Sequence, residues 1–358
     1  MQARLEAVAC WSPDEGKRMN RAQVEKSLAV WAGQLLYPGV RTYGQAGKNP
    51  GVWSTGLAYG ADVRAKLRAL VRRAPEVMVR VSGGGRGMRP IRAHLLYISR
   101  CGKLEIEDER GEKSLGRDAL DGLAEEWRLA GAEIPAKSHR REAFHLMLSM
   151  PPDTDAGAVL SAARDFASAE FAQHKFAMVL HEPGSDPRST RAHVHLVVRA
   201  QGWDGERLKP SKADLARWRQ VFADRLIERG IAACATRRQT RGELQPPKTL
   251  WDHRVQGLAR KAWALRPSAR AAATEANVLN AWRQVAGALS RSEEHEDQNL
   301  AREMLDFVRA MPMVARREAR LRRSERTPVQ SCVERTQSDR GGPNLPERVQ
   351  RRDRSRAR

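Results

Sequence analysis

The sequence is poor in aromatic residues and cysteines, and it lacks long apolar runs. Aromatic side chains make up 5% of its 358 residues, and four cysteines (Cys10, Cys101, Cys234, Cys332) are scattered without CxxC spacing. Such scattering favours neither a zinc-thiolate site nor a disulfide framework, and it suits a reducing compartment. No apolar run approaches the ~18 residues of a membrane span, and no basic segment followed by an apolar core marks a signal peptide. We therefore expect a cytoplasmic protein without membrane insertion.

Acidic residues are scarce relative to basic ones. Lysine and arginine total 64 against 43 aspartates and glutamates, which gives a net charge of +21 and a pI near 10.7. This excess favours a polyanionic partner such as nucleic acid, although ribosomal, chromatin-like and membrane-surface proteins share it. From residue 315 onward, fourteen arginines face six acidic residues. Few large apolar residues lie among them, so we expect this tail to be disordered.

Apolar periodicity divides the chain into four segments. We predict a helical N-terminal extension over 1–74, alternating strands and helices over 75–240, further helices over 241–312 and the arginine-rich tail over 313–358. The strands KFAMVLHE and AHVHLVVRA are joined too closely for a crossover connection, so they must pair antiparallel. We therefore expect an α+β domain whose antiparallel sheet is flanked by helices, rather than a doubly wound parallel sheet.

Two histidines in the second of these strands stand one residue apart. His193 and His195 share a strand face because side chains alternate along a strand, and His181 ends the preceding strand. Three imidazoles on adjacent strands would form an open metal site. The alternative is a pair of half-exposed polar residues on a strand. The remaining histidines are interpreted as structural or surface residues: His94, His139, His145, His174, His253 and His295.

One tyrosine is placed differently from the other three. Tyr97 stands in "LLYISRCGKLE", at the end of a predicted helix that carries several arginines. A phenol near cations ionises more readily and can attack phosphorus, whereas the alternative is an aromatic side chain packed near a helix end. The preceding "SGGGRG" is predicted to break the strand "EVMVRVS". It offers backbone N–H groups to a phosphate, but it matches neither a Walker A loop nor a dinucleotide fingerprint.

In combination, four stretches resemble the successive motifs of a known enzyme family. They are "VSGGGRGMRPIRAHLLYISRCGKLEIEDERG", "LMLSMPPDT", "VLHEPGSDPRSTRAHVHLVV" and "RLKPSKADLARWRQVFADRLIERGI". In that order they resemble conjugative relaxases, the mobilisation nucleases of the P-type mobilisation family, which includes the T-DNA border nickase and lies within the HUH endonuclease superfamily. The resemblance covers roughly residues 75–240, and it implies an antiparallel sheet flanked by helices.

The resemblance also implies roles for individual residues. Tyr97 matches the tyrosine that attacks the scissile phosphodiester, and Ser149 matches a serine that helps to hold DNA beside the nick. His181, His193 and His195 match the histidines that hold a divalent ion, usually Mg²⁺ or Mn²⁺.

The sequence departs from the family pattern close to the histidines. Pro183 stands where the family has an aspartate, so Glu182 or Asp186 would have to orient a ligating imidazole instead. Arg199 likewise replaces an asparagine that often follows the histidine pair.

The function implied by the resemblance is site- and strand-specific nicking and joining of single-stranded DNA at a transfer origin, through a 5′-phosphotyrosine. Candidate phosphate-binding residues are Arg86, Arg89, Arg92 and Arg100. The implied partners are origin DNA, accessory origin-binding proteins and a type IV secretion coupling protein, and translocation with the transferred strand is an alternative to residence in the cytoplasm. The alternative functions are a rolling-circle replication initiator and a non-catalytic DNA-binding mobilisation accessory protein.

Overall fold

A computed structural model describes residues 17–36, 56–184, 190–243, 269–320 and 322. The strands are β1 (Met78–Gly85), β2 (Ile106–Asp108), β3 (Lys113–Ser114), β4 (Ala143–Ser149), β5 (Phe176–His181) and β6 (His193–Arg199). The helices are α1 (Arg21–Leu36), α2 (Gly56–Val71), α3 (Met88–Ile98), α4 (Arg117–Leu129), α5 (Ala156–Glu170), α6 (Lys212–Ile227), α7 (Ala269–Ser290) and α8 (His295–Arg309).

The six strands form one antiparallel sheet in the order β1-β4-β6-β5-β2-β3. The predicted α+β architecture with flanking helices is thereby confirmed, as is the antiparallel pairing of β5 with β6. The central strands carry buried apolar residues on both faces because helices cover both sides. One face packs against α5 and α6, and α3 and α4 cover the other.

Glycines allow α3 to lie close to the sheet. The glycine run that the sequence suggested as a strand break instead completes β1, where Gly83, Gly84 and Gly85 pair with β4. A Cβ atom on Gly85 would stand 2.4 Å from Cγ1 of the buried Ile91 in α3. These glycines therefore serve strand pairing and helix packing. They lie within a strand and not in a phosphate-binding loop.

A second core joins the two ends of the described chain. Helices α1, α2, α7 and α8 bury their apolar faces against one another, although the sequence treats 1–74 and 241–312 as separate segments. Arg64 of α2 donates to both carboxylate oxygens of the fully buried Asp297 in α8, at 2.6 and 2.9 Å, and it also pairs with Glu25 of α1. Side chains about 230 residues apart thus meet in one helical unit.

Some predictions lie outside the described residues. They include residues 244–268 of the predicted helical region 241–312 and most of the arginine-rich tail. In the parts of the chain that the structure describes, every helix is too short or too polar to cross a bilayer.

Candidate active site

The register of the sheet brings the predicted metal ligands together. Ser149 of β4, His193 of β6 and His181 of β5 occupy one cross-strand row, and His195 lies two residues further along β6 on the same face. The three imidazoles each offer a nitrogen within 4.8 Å of the others, and their ring centroids are 4.6–5.1 Å apart. We call His181, His193 and His195 the three-histidine cluster.

Backbone carbonyl groups orient two of these imidazoles. Nδ1 of His193 is 2.9 Å from the carbonyl oxygen of Arg191, and Nε2 of His181 is 2.6 Å from that of Ile98. Each ring nitrogen donates its proton to the carbonyl, which makes the opposite nitrogen of the same ring the one suited to coordinate an ion. Carbonyl oxygens therefore orient the His181 and His193 rings in this structure.

Burial keeps His195 suited to metal binding. Burial, reinforced by the neighbouring His181 and His193, lowers the pKa of His195 to about 3. A neutral imidazole is the form that binds a cation, so proton competition at His195 is weak near neutral pH. Three nitrogen donors, with His195 neutral, therefore fit a divalent ion.

Tyr97 lies at the C-terminal end of α3, next to the cluster in the fold. The residue is 54% exposed, so a macromolecular substrate can reach it. The next residue, Ile98, supplies the carbonyl that accepts the hydrogen bond from His181. The helix end that carries the phenol is thus attached directly to a predicted metal ligand.

The chain reverses sharply beyond Tyr97. Arg100 and Cys101 have φ values of 53° and 59°, and Gly102 has a φ of 84°. Left-handed conformations at two consecutive non-glycine residues are uncommon, and such strain concentrates at functional sites. This turn places the guanidinium carbon of Arg100 5.8 Å from the Tyr97 ring centroid, in a cation–π arrangement.

Two histidines that the sequence treats as structural belong to this site. His94 of α3 stacks on His145 of β4 with ring centroids 3.5 Å apart and an interplanar angle of 1°. The His94 ring is also 6.2 Å from the Tyr97 ring and 6.4 Å from the His195 ring. Spacing contained a signal for both residues, because His94 precedes Tyr97 by one helical turn and His145 shares a strand face with Ser149.

The hydroxyl of Ser149 lies inside the protein, close to the cluster. Ser149 is 3% exposed, and its hydroxyl donates to the carbonyl oxygens of Met150 and Ala192. In this conformation the serine links the end of β4 to the residue before His193. Its predicted contact with DNA stays a prediction.

The carboxylates proposed to support the cluster are placed differently. Glu182 is exposed and lines a pocket with Leu180 and Met178, whose side chains lie on the α5 face of the sheet, opposite the cluster. Asp186 lies outside the described residues. The orienting role of both carboxylates stays a prediction.

The four candidate phosphate-binding arginines lie before, along and after α3. Arg86 and Arg89 are exposed near the N-terminal end of this helix, away from Tyr97. Arg92 is also exposed and forms a 2.6 Å ion pair with Asp121 of α4. Arg100 is therefore the arginine among these four that the structure places beside Tyr97. Arg199, which replaces the family asparagine, is buried and donates to the carbonyl oxygen of Ala132.

Comparison with known proteins identifies the domain that contains this site. Residues 97–231 match the family model of the MobA/VirD2-like relaxase nuclease domain. This region resembles a relaxase nuclease domain. Its match begins at Tyr97 and includes the three-histidine cluster.

Two further proteins are similar to parts of this chain. The T-DNA border endonuclease VirD2 of Rhizobium radiobacter is 25% identical over 199 residues, which cover 50% of this chain and 46% of VirD2. The chain thus matches slightly less than half the length of that relative. A structure described under "Molecular Basis of Vancomycin Resistance Transfer in Staphylococcus aureus" is 11% identical, covers 46% of this chain and 99% of its own, and has a TM-score of 0.29.

Proposed function

We propose that this protein nicks and rejoins one strand of DNA at a transfer origin and so initiates conjugative mobilisation. The observation that carries the proposal is the attachment of the Tyr97 helix end to the three-histidine cluster through the bond between His181 and the Ile98 carbonyl. An exposed phenol beside an ion-binding cluster is suited to phosphoryl transfer. The relaxase family match and the excess of basic residues support a DNA substrate.

In the proposed reaction, the Tyr97 hydroxyl attacks the scissile phosphorus. A bond from the phenol oxygen to phosphorus forms while the bond to the 3′ oxygen breaks, which leaves a 5′-phosphotyrosine and a free 3′ hydroxyl. The phenolic proton passes to solvent, which reaches this exposed side chain, and the departing 3′ oxygen takes up a proton. Because one phosphoester replaces another, the reverse reaction rejoins the strand without a nucleotide cofactor.

The three-histidine cluster would hold the divalent ion that relaxases require. When bound there, the ion supplies positive charge that stabilises the charge developing on the phosphate. Three nitrogen donors suit a transition ion such as Mn²⁺ better than Mg²⁺, which prefers oxygen ligands. Among the two ions expected from the family resemblance, we therefore propose Mn²⁺ as the more tightly bound.

Arg100 is placed to stabilise negative charge near Tyr97. Its guanidinium lies over the phenol ring, so it can contact a phosphate that approaches the hydroxyl. Arg86 lies just before α3 and Arg89 and Arg92 lie along it, and all three are proposed to bind phosphates further along the strand.

The proposed partners follow from the same function. They are single-stranded origin DNA, accessory proteins that bind the origin and a type IV secretion coupling protein. The arginine-rich tail is proposed either to recruit the coupling protein or to bind DNA non-specifically. We propose a cytoplasmic location, with translocation alongside the transferred strand as the alternative.

A covalent-trapping assay tests this function. The purified full chain is incubated with Mn²⁺ and labelled single-stranded oligonucleotides that tile both strands of the DNA beside its gene. We expect one oligonucleotide to yield a protein–DNA adduct that survives denaturation, and Tyr97→Phe to yield none while retaining DNA affinity.

Two further variants sharpen the result. We expect His193→Ala to lose adduct formation with its DNA affinity intact, and His174→Ala, a histidine packed on Phe171, to remain active. An adduct that persists in Tyr97→Phe would refute the assignment of the nucleophile. Tight DNA binding by wild-type protein without any adduct would favour the non-catalytic accessory protein.

A further inference from the structure

The stacked pair of His94 and His145 connects the helix that carries Tyr97 to the centre of the sheet. Their rings are parallel and in van der Waals contact, with centroids 3.5 Å apart. His145 lies on β4, with Gly83 of β1 beside it; a Cβ atom on that glycine would stand 3.4 Å from Nδ1 of His145. The sheet thus leaves a flat site that an imidazole fills.

Retaining two imidazoles at this buried contact is energetically costly. Nε2 of His94 and Nε2 of His145 are both buried without a hydrogen-bond partner among the described residues. A buried donor or acceptor without a partner destabilises the fold, a penalty that two apolar rings of similar shape would avoid. Burial also lowers the pKa of both residues, so the stacked rings are neutral near pH 7 and do not repel each other. A destabilising polar contact next to Tyr97 and the three-histidine cluster calls for a functional explanation.

We propose that the His94–His145 stack is a positioning device that fixes Tyr97 relative to the three-histidine cluster. This inference rests on the proposed nicking function. His94 lies one helical turn before Tyr97 on the same side of α3, and its ring is edge-on to that of His195. The stack thus holds the helix to β4 one turn before Tyr97, and the bond from His181 to Ile98 holds it just after Tyr97.

Two anchors on either side of the phenol restrict sliding and rotation of the helix end. Attack on phosphorus requires the reacting atoms at about 3–3.5 Å and in line, and a displacement of about 1 Å can cost about 100-fold in rate. Loss of the stack should therefore reduce the rate of the covalent step, while the contacts that bind DNA are retained.

The test compares truncation of each ring with a conservative replacement. His94→Ala and His145→Ala remove one ring of the stack, whereas His94→Phe and His145→Phe keep a flat ring and remove its nitrogens. His174→Ala is the control, since that histidine packs on Phe171 in a different contact. The measurements are the single-turnover rate of adduct formation at saturating oligonucleotide and Mn²⁺, the oligonucleotide Kd and the Tm.

The expected pattern separates positioning from simple stability. The alanine variants should form adduct about 10- to 100-fold more slowly. Their Kd should stay within about twofold of wild type, and the phenylalanine variants should recover most of the rate. Alanine variants with the wild-type rate would overturn the proposal. Phenylalanine variants as slow as the alanine variants would also overturn it, because the imidazole nitrogens would then be the required feature.

A measurement without DNA distinguishes failure of this inference from failure of the proposed function. Native-state hydrogen exchange of the backbone amides over 94–101 should speed up in the alanine variants and not in the phenylalanine variants or in His174→Ala. If wild-type protein forms no adduct, the nicking function fails, and the exchange data alone then decide whether the stack positions the end of the helix. Unchanged exchange in both alanine variants would overturn the positioning role whatever the activity.

Discussion

Replacing His145 with phenylalanine should make the protein less sensitive to acid. Burial lowers the pKa of His145 to about 3 in the folded protein, and the nearby His94 and Arg141 reinforce the shift. In the unfolded chain, the ordinary value for histidine is about 6.5. Between these two values the unfolded state binds the proton more readily, so acidification stabilises the unfolded state and lowers the free energy of unfolding.

The size of the effect follows from these two values. One proton taken up on unfolding lowers the free energy of unfolding by about 1.4 kcal/mol for each pH unit below about 6.5. Between pH 7.5 and pH 5, His145 alone should therefore remove about 2 kcal/mol of stability. A change of one unit in the folded pKa barely alters this figure at pH 5, because the unfolded chain takes up nearly all of the difference in protons.

Chemical denaturation in the presence of a chelator measures this effect without interference from bound metal. Unfolding free energies of wild-type protein and His145→Phe are compared at pH 7.5, 6 and 5, with His139→Phe as the same substitution at an exposed position. We expect the variant to lose about 2 kcal/mol less than wild type over this range. Parallel pH profiles for wild type and His145→Phe would refute the view that the stack contains a neutral, buried imidazole.

The remaining predictions concern packing, the helical core and the metal. Gly85→Ala should lower the free energy of unfolding in urea by about 1–3 kcal/mol, because the added methyl group overlaps Ile91. Gly122→Ala is the control: its Cβ meets nothing within 4 Å, so the free energy of unfolding should stay the same or rise. Asp297→Asn should lower the free energy of unfolding by about 3–5 kcal/mol, because it leaves the buried charge of Arg64 poorly compensated. A loss of less than about 1 kcal/mol in the same urea measurement would contradict this. In calorimetric titrations, Mn²⁺ should bind more tightly than Mg²⁺, and His193→Ala should weaken Mn²⁺ binding at least tenfold. Equal affinities for the two ions would contradict the proposal that three histidine nitrogens hold the ion.

Local patterns predicted the elements around the site well. Alternating apolar residues and the short connection before "AHVHLVV" predicted that β5 and β6 pair antiparallel, which the structure confirms. A strand period of two also predicted that His193 and His195 share a face, because alternation is a property of the backbone itself. The break expected at the glycine run was wrong, since the need for close packing against Ile91 places glycine within a strand.

Such local patterns could not predict contacts between segments that are far apart in the sequence. Nothing local to His94 or His145 indicates that the two rings stack, because the contact joins a helix to a strand about 50 residues away. The sequence also did not indicate that the Ile98 carbonyl orients His181. A backbone oxygen is present at every residue, and only packing decides which one meets His181.

By itself, the sequence determined the chemistry available to this protein: a basic surface, a tyrosine among arginines, and three histidines on two adjacent strands. Composition and short-range periodicity encode these features, since they depend on residue type and on the geometry of a few neighbouring peptides. Only the tertiary structure decided how they are arranged. Register across the sheet aligned His181 with His193, and helix packing brought His94 onto His145, because such contacts depend on the complementary shapes of surfaces far apart in the chain.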